Sequence, residues 1–542
     1  MTDILEKIRK SEKNLFVGLA GPGTGKSYTF KTIIESDEYK GKKILILSFI
    51  NKLIDDLSQE FKDFKNVEVS TLHAFAKKKI GDVDFDSNLD CVISEDYFFI
   101  KKDNINYEER FHENNLTEDE LNFYKERILF YKYGERLYSF NSIIYLINLI
   151  FSEQESCIPK YDLILIDEFQ DFNKSEYELI KLLNKKNKVV LVGDDDQSLY
   201  DWKNAKPEQI RNLYSDVSTE EFSLDYCFRC TEVIVNTTND LIRNSKGAGY
   251  LEDRLDKKFL YPNSIKEKNK ISEKYPKIDF IPSVPCGGHL LIYQLSEAIK
   301  KDIEKGVKKK ILVLVPSYLK QTIYEGLIKK GFNVINFELF SEEKCNKIKH
   351  KNLVEIFEIL FERKTDNLSL RKVLFLYFSS EDKVKNIIIQ SNQEKKGIWS
   401  CLEKDIKENI EEDIKIFKKV KSGRDKLNNK ELKRFSEIFN LKNILSKMIN
   451  GFDSIKKDAT EIEITTVMSS KGLSMDFVYY VGINDKIILD RETSDFTDQK
   501  ICEFLVGITR AKEKLTLISL EDENPKILEF IDKKYINKIK QK

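Results

Sequence analysis

The chain has 542 residues, 41% of them hydrophobic and 34% charged, and its 91 Lys+Arg balance 91 Asp+Glu to a net charge of zero. That length predicts several domains, and that balance excludes a protein that coats nucleic acid by bulk positive charge, while a local basic groove stays open. The cysteines are scattered, the Met1–Lys13 stretch is polar and charged, and the apolar run around Ile143–Phe151 is too short to span a bilayer. A cytoplasmic protein with no secreted disulfide framework and no membrane association is therefore expected.

The first element is the apolar run Leu15–Ala20, read as a strand. It leads into Ala20, Gly21, Pro22, Gly23, Thr24, Gly25, Lys26 and Ser27, which fit the pattern [AG]-x-x-x-x-G-K-[ST] of a phosphate-cradling loop. Glycines allow the backbone to turn its N–H groups toward phosphate oxygens, and a helix starting near Ser27 adds the positive end of its dipole. Lys26 then reaches the outer phosphates and the Ser27 hydroxyl is placed to hold Mg²⁺. The plain alternative is a glycine-rich turn, which the strand-loop-helix setting disfavours.

Further buried-type runs follow at Ile44–Ser48, Leu163–Ile166 and Val189–Gly193. A second set comes at Ile311–Pro316, Val334–Phe337, Ile462–Val467, Phe477–Val481 and Leu515–Ser519. Their alternation with helical patterns predicts two α/β domains built on parallel sheets. Two helical segments interrupt them. In the first, Thr117-x-x-Glu120 reads as a capping box, and Leu121, Tyr124, Ile128 and Tyr131 follow at helical spacing. In the second, Leu402, Ile406, Ile410, Ile414 and Phe417 form an apolar stripe, read as ordinary helix packing.

The strand Leu163–Ile166 ends in Asp167-Glu168-Phe169-Gln170-Asp171. Carboxylates at the carboxyl end of a buried strand lie where open α/β sheets bind ligands. Asp167 is expected to complete the Mg²⁺ shell begun by Ser27, and Glu168 to polarise an attacking water, a division that suits phosphoryl transfer. After Val189–Gly193 comes a polar loop in which Gln197 is placed to sense a γ-phosphate. Tyr200 and Trp202 in that loop suggest stacking on nucleic-acid bases, with core packing as the alternative for Trp202.

In this order the motifs resemble the UvrD/Rep/PcrA family of superfamily 1A helicases. The loop Ala20–Ser27 is similar to motif I, Leu47–Lys52 to motif Ia, and Thr71–Phe75 to the next DNA-contacting motif. Asp167–Asp171 is similar to motif II and Gly193–Ala205 to motif III. Leu224–Thr231, Thr466–Leu473 and Val506–Ala511 resemble motifs IV, V and VI.

The resemblance implies two RecA-like domains, 1A (1–78 and 155–222) and 2A (223–340 and 457–542). It also implies helical insertions 1B (79–154) and a reduced 2B (341–456). It implies an ATP site of Ala20–Ser27, Tyr28, Phe228, Arg229 and Gly472, with Phe228 on the adenine and Mg²⁺ on Ser27 and Asp167. Catalysis would fall to Lys26, Glu168, Gln197 and the arginine fingers Arg229 and Arg510. Phe49, Asn51, His73, Tyr200 and Trp202 would line a single-stranded DNA track. In a chain so rich in Lys, the few Arg at motif positions gain weight. Cys227 and Cys230 then flank Phe228 and Arg229 rather than ligating a metal.

The chain departs from the family pattern in places. No Gln precedes the phosphate loop, Met468 and Ser474 stand where motif V carries His and Glu, and Lys203 replaces an Arg. Weaker selection for ATP over other nucleotides is the expectation. Two readings remain: a 3′–5′ DNA motor that unwinds duplex, or a nucleotide- and DNA-sensing ATPase subunit that gates a partner such as a nuclease, for instance in phage defence.

Overall fold

The computed structural model describes residues 2–48, 57–59, 61–81, 83–131, 137–199, 203–282, 288–305, 310–335, 350–378, 380–422, 427–439, 460–490, 492–520 and 524–539. The chain divides into two compact units. One comprises Met1–Phe75, Ile150–Phe340 and Ile455–Lys542, and the other Ala76–Leu149 and Ser341–Ser454.

The first unit holds two parallel sheets. Strands β1 (Leu15–Ala20), β2 (Ile44–Ser48) and β3 (Val67–Thr71) come first. After the short β4 (Asp84–Phe85) and β5 (Leu137–Tyr138), which belong to the other unit, follow β6 (Leu163–Ile166), β7 (Val189–Gly193) and β8 (Glu220–Leu224). The six long strands form a sheet in the order β3-β2-β6-β7-β1-β8, every pair parallel. β1, β2, β6 and β7 are apolar except for Ser48 and almost wholly buried, as strands covered on both faces must be. Phe16, Phe30, Ile33 and Leu165 pack one face, and full burial of each such side chain stabilises the fold by about 1.5–3 kcal/mol.

The second sheet contains β9 (Ile278–Ile281), β10 (Ile311–Leu314), β11 (Asn333–Ile335), β12 (Glu461–Thr465), β13 (Met475–Val481), β14 (Ala511–Ile518) and β15 (Ile536–Lys538). Its order is β11-β12-β10-β13-β14-β9-β15, again with parallel pairing throughout. The helix Glu232–Gly247 and the segment around Leu251–Tyr261 share a core with this sheet, together with Leu199 from the loop after β7. The two sheets thus reach one another through side chains, which matters for the site below.

The architecture is the expected α/β one with parallel sheets. The strands β3, β8, β9 and β15 were not among the expected elements. Glu220-Glu221-Phe222-Ser223-Leu224 explains why: only Phe222 of β8 is buried, so an outermost strand shows no apolar run.

The second unit is a helical body whose two segments share a hydrophobic core. Phe99, Phe111 and Phe123 from Ala76–Leu149 share that core with Phe357, Leu370 and Ile388 from Ser341–Ser454. At its centre Asp96 is wholly buried. It accepts from Arg127 (Nε at 2.9 Å), from Arg371 (Nε at 3.0 Å) and from the Tyr131 hydroxyl. Arg371 also bonds Glu95 at 2.8 Å.

The capping box forms as read: Glu120 N donates to Thr117 Oγ1 at 3.3 Å and Thr117 N to Glu120 Oε2 at 2.8 Å, ahead of the helix Glu118–Tyr131. The buried face of that helix is shifted from the expected stripe. Phe123, Tyr124, Arg127 and Tyr131 are buried, while Leu121 and Ile128 are only half-buried, because the Asp96 pairing draws Arg127 inward. The stripe from Leu402 to Phe417 packs as ordinary helix core, with Leu402, Ile406, Ile410 and Phe417 buried.

Candidate functional site

Because the first sheet is parallel, the carboxyl ends of β6, β7 and β1 lie side by side. The loops that leave them carry Asp167–Asp171, Asp194–Gln197 and Gly21–Ser27, and these become one site. Gly23 has φ 70° and Gly25, which caps the helix Lys26–Glu35, has φ 90°. Both lie in the left-handed region that glycine enters without strain. A Cβ on Gly23 would collide with the side chain of Arg229. Thr24 is buried, Lys26 and Ser27 are partly covered, and Tyr28 is exposed.

Glu168 also has a positive φ, 54°, which costs a non-glycine residue conformational energy and is held only by its surroundings. Those surroundings are specific. Glu168 Oε1 lies 3.1 Å from Lys26 Nζ, its Oε2 accepts from Gln170 Nε2 at 2.7 Å, and Lys471 Nζ stands 3.7 Å away. Burial alone would raise the Glu168 carboxyl, yet Lys26, Lys471 and the Gln170 amide together hold it well below the usual carboxylate range. Asp167 goes the other way. Burial, with Glu168 as a like-charged neighbour, pushes it up to about 7 against the pull of Lys26. Asp167 accepts from Glu168 N at 2.8 Å. The hydroxyl of Ser27 and the carboxylate of Asp167 are hard oxygen donors, the set that suits Mg²⁺.

The lobe that packs on the second sheet, which begins after β8 and includes Cys227, contributes the rest. Phe228 N donates to Gly23 O at 2.8 Å and the Cys227 thiol bonds Pro22 O at 3.2 Å, so Cys227–Arg229 is laid directly on the phosphate loop. Phe228 itself is 49% exposed, leaving its ring free to stack. Arg510 is wholly buried, its Nε bonded to Val506 O at 2.9 Å and its Nη2 to Gln197 Oε1 at 3.4 Å. Burial, with Arg229 alongside, pushes the Arg510 guanidinium down to about 9. Gly472 has φ 84°. Its neighbour Lys471 donates to Asp171 and, at 2.7 Å, to Gln197 O.

One continuous polar network therefore joins the lobes. From Glu168 it runs to Gln170, whose Oε1 accepts from Asp194 N at 3.0 Å; Asp194 Oδ2 accepts from Gln197 Nε2 at 2.5 Å. Gln197 then meets Arg510 and Lys471 from the second sheet.

Comparison with known proteins fits this geometry. The family model for the UvrD/REP helicase N-terminal domain matches residues 94–218. ATP-dependent DNA helicase Rep of Buchnera aphidicola subsp. Acyrthosiphon pisum is 23% identical, over 96% of this chain and 95% of its own. DNA helicase II of Haemophilus influenzae is 42% identical over 18% of this chain and 13% of its own. Gabija protein GajB of Bacillus cereus is 26% identical over 69% of this chain and 66% of its own. The chain is UvrD/Rep-like, similar to superfamily 1A helicases.

In this chain, Lys26, Glu168, Gln197, Arg229 and Arg510 stand in one place with Ala20–Ser27 and Phe228. His73 is half-buried and close enough to Glu176 to help lower its carboxyl, although burial works against that and Lys203, 2.6 Å away, contributes more. Phe49, Asn51, Tyr200 and Trp202 lie outside the described residues. Sequence reasoning missed Gln170, Asp171, Asp194 and Lys471. Asp171 and Lys471 sit inside quoted motifs, and their value lies in meeting across the lobes, which no spacing announces. Among the described residues no helix is long and apolar enough to cross a membrane.

Proposed function

We propose that this chain is an ATP-dependent DNA helicase that moves 3′ to 5′ along single-stranded DNA and separates duplex. The reading rests on one observation: Lys26, Glu168 and Gln197 on one lobe stand within a single network with Arg510 and Lys471 from the other. The Rep and DNA helicase II likenesses supply the substrate class.

In this mechanism the loop Gly21–Ser27 wraps the phosphates of ATP, Tyr28 borders it, and Phe228 stacks on the base. Ser27 and Asp167 would hold Mg²⁺, which supplies charge neutralisation on the phosphates. Before nucleotide arrives, Lys26 is engaged by Glu168. Phosphate oxygens draw Lys26 away, and the freed carboxylate then orients the water that attacks the γ-phosphorus. The bond to the bridging oxygen breaks, giving ADP and phosphate. Arg229 and Arg510 stabilise the charge that develops on the transferring group, and Gln197 reports its presence to both lobes. Loss of the phosphate removes those contacts, so the lobes part, and alternating grip on the strand yields a step. His73, Phe49, Asn51, Tyr200 and Trp202 are assigned to the DNA track.

The GajB likeness favours a second reading, an ATPase subunit of a larger assembly that gates a nuclease or similar partner. Strand displacement on 3′-tailed and 5′-tailed duplexes separates the two, with Lys26→Ala as the control. Displacement of the 3′-tailed duplex alone by the purified chain is expected. Hydrolysis without displacement, restored by a co-purifying protein, would replace the motor with the subunit.

A further inference from the structure

The loop after β7 carries three consecutive aspartates, Asp194, Asp195 and Asp196, and all three are buried. Their carboxylate oxygens converge within 4.8 Å of one another. Three like charges out of water repel strongly, and such a group persists only with a compensating cation. That cation is Lys257, a residue of the second lobe. Its ammonium pairs with Asp194, with Asp195 Oδ1 at 3.1 Å and with Asp196 Oδ2 at 2.6 Å, and its side chain is only 8% exposed. The same segment adds two more ties: Leu255 N donates to Asp195 Oδ2 at 2.9 Å, and Arg254 donates to Asp195 O.

Asp194 is the member that faces the chemistry. Its Oδ1 takes Lys257 and its Oδ2 takes the Gln197 amide at 2.5 Å. With Nε2 so engaged, Gln197 turns Oε1 toward Arg510, 3.4 Å away. We propose that Lys257 is a positioning residue for ATP hydrolysis, which reaches across from the second lobe and orients Gln197 through Asp194. Withdrawal of the second lobe takes the ammonium away, leaves the three carboxylates facing each other, and releases the Gln197 side chain. Lobe closure and the setting of Gln197 thereby become one event. The inference rests on the reading of Gln197 as the group that faces the γ-phosphate.

The test is a double-mutant cycle on the full chain. Steady-state ATP turnover with saturating single-stranded DNA is measured for wild type, Lys257→Met, Gln197→Ala and the double variant, with binding of a fluorescent ATP analogue alongside. Lys257→Met is expected to lower kcat at least fivefold and to leave KM and analogue affinity within threefold. In the Gln197→Ala background the same change is expected to cost less than twofold. A kcat loss under fivefold, or two losses that simply multiply, would overturn the inference, because a merely structural lysine acts independently of Gln197. Lys257→Met leaves buried carboxylates uncompensated, so the cycle is repeated with Lys257→Met/Asp195→Asn/Asp196→Asn. That variant removes the repulsion and still frees Asp194, and the same pattern is required of it. A wild-type chain with no turnover would instead remove the functional reading, and this assignment with it.

Discussion

Two clusters of buried charge, one in each unit, use the same residue types to different ends. In the helical body, Asp96 is shared by Arg127, Arg371 and Tyr131, and both of its oxygens have donors. At the nucleotide site the accounts stay open. Among the described residues, Asp171 Oδ1 and Asp196 Oδ1 are buried without a hydrogen-bond partner; Glu168 sits at a strained φ, and burial beside Arg229 weakens the hold of Arg510 on its proton. A closed cluster fixes one structure, because every donor is answered and any change costs energy. An open cluster has unused capacity, which a phosphate or a metal can take up. On the proposed function, the first is a charge group that holds a fold and the second one that does chemistry.

The comparison breaks first at Glu168. Glu168→Gln is expected to lower turnover about 10³-fold, about 4 kcal/mol in barrier, with nucleotide affinity retained. Turnover equal to wild type would return this carboxylate to a structural role. In the closed cluster the loss should be stability instead. Arg371→Met leaves Asp96 with one cation fewer and should lower the protection of the helices Leu89–Lys101 and Asn367–Tyr377 in hydrogen exchange by about 3–5 kcal/mol.

A pH dependence sharpens the contrast. Burial pushes Asp90, in the same helical body, up to about 6, although Tyr124 (2.6 Å) and Asn141 (3.0 Å) donate to it. A carboxyl raised on folding contributes stability that is complete below its unfolded value and disappears as pH rises through the folded one. Wild type should therefore lose about 3 kcal/mol relative to Asp90→Asn between about pH 3 and pH 7, read by exchange of the same helix. A flat difference across that window would refute the assignment. The smallest effect is at the capping box, where Thr117→Ala should cost about 1 kcal/mol in the first turn of Glu118–Tyr131, seen as faster exchange of those amides alone.

How much of this was legible in the sequence depends on the range of the interaction. β1, β2, β6 and β7 carry the expected bounds because continuous apolar runs are local signals. The loop Ala20–Ser27 and the acids after β6 were legible for the same reason: phosphate chemistry needs those residues close together in the chain. Lys257 was not. It lies in Asp256-Lys257-Lys258, which reads as a solvated charge run, and only the fold brings three aspartates from the loop after β7 against it. Arg127 was hidden likewise, since a charged residue turns inward only when Asp96 is there to meet it. Of the residues that the motif pattern assigns to DNA, His73 alone lies among the described ones.

The most direct measurement takes both quantities on one pair of variants. Arg510→Lys keeps the charge and loses the planar fork, so ATP turnover should fall at least 10²-fold while exchange protection of both units stays within about 1 kcal/mol of wild type. Arg371→Met should lower protection of the helical body by several kcal/mol. Turnover of Arg510→Lys within threefold of wild type would contradict the account, because the buried guanidinium that meets Gln197 from the second lobe would then contribute nothing to the reaction.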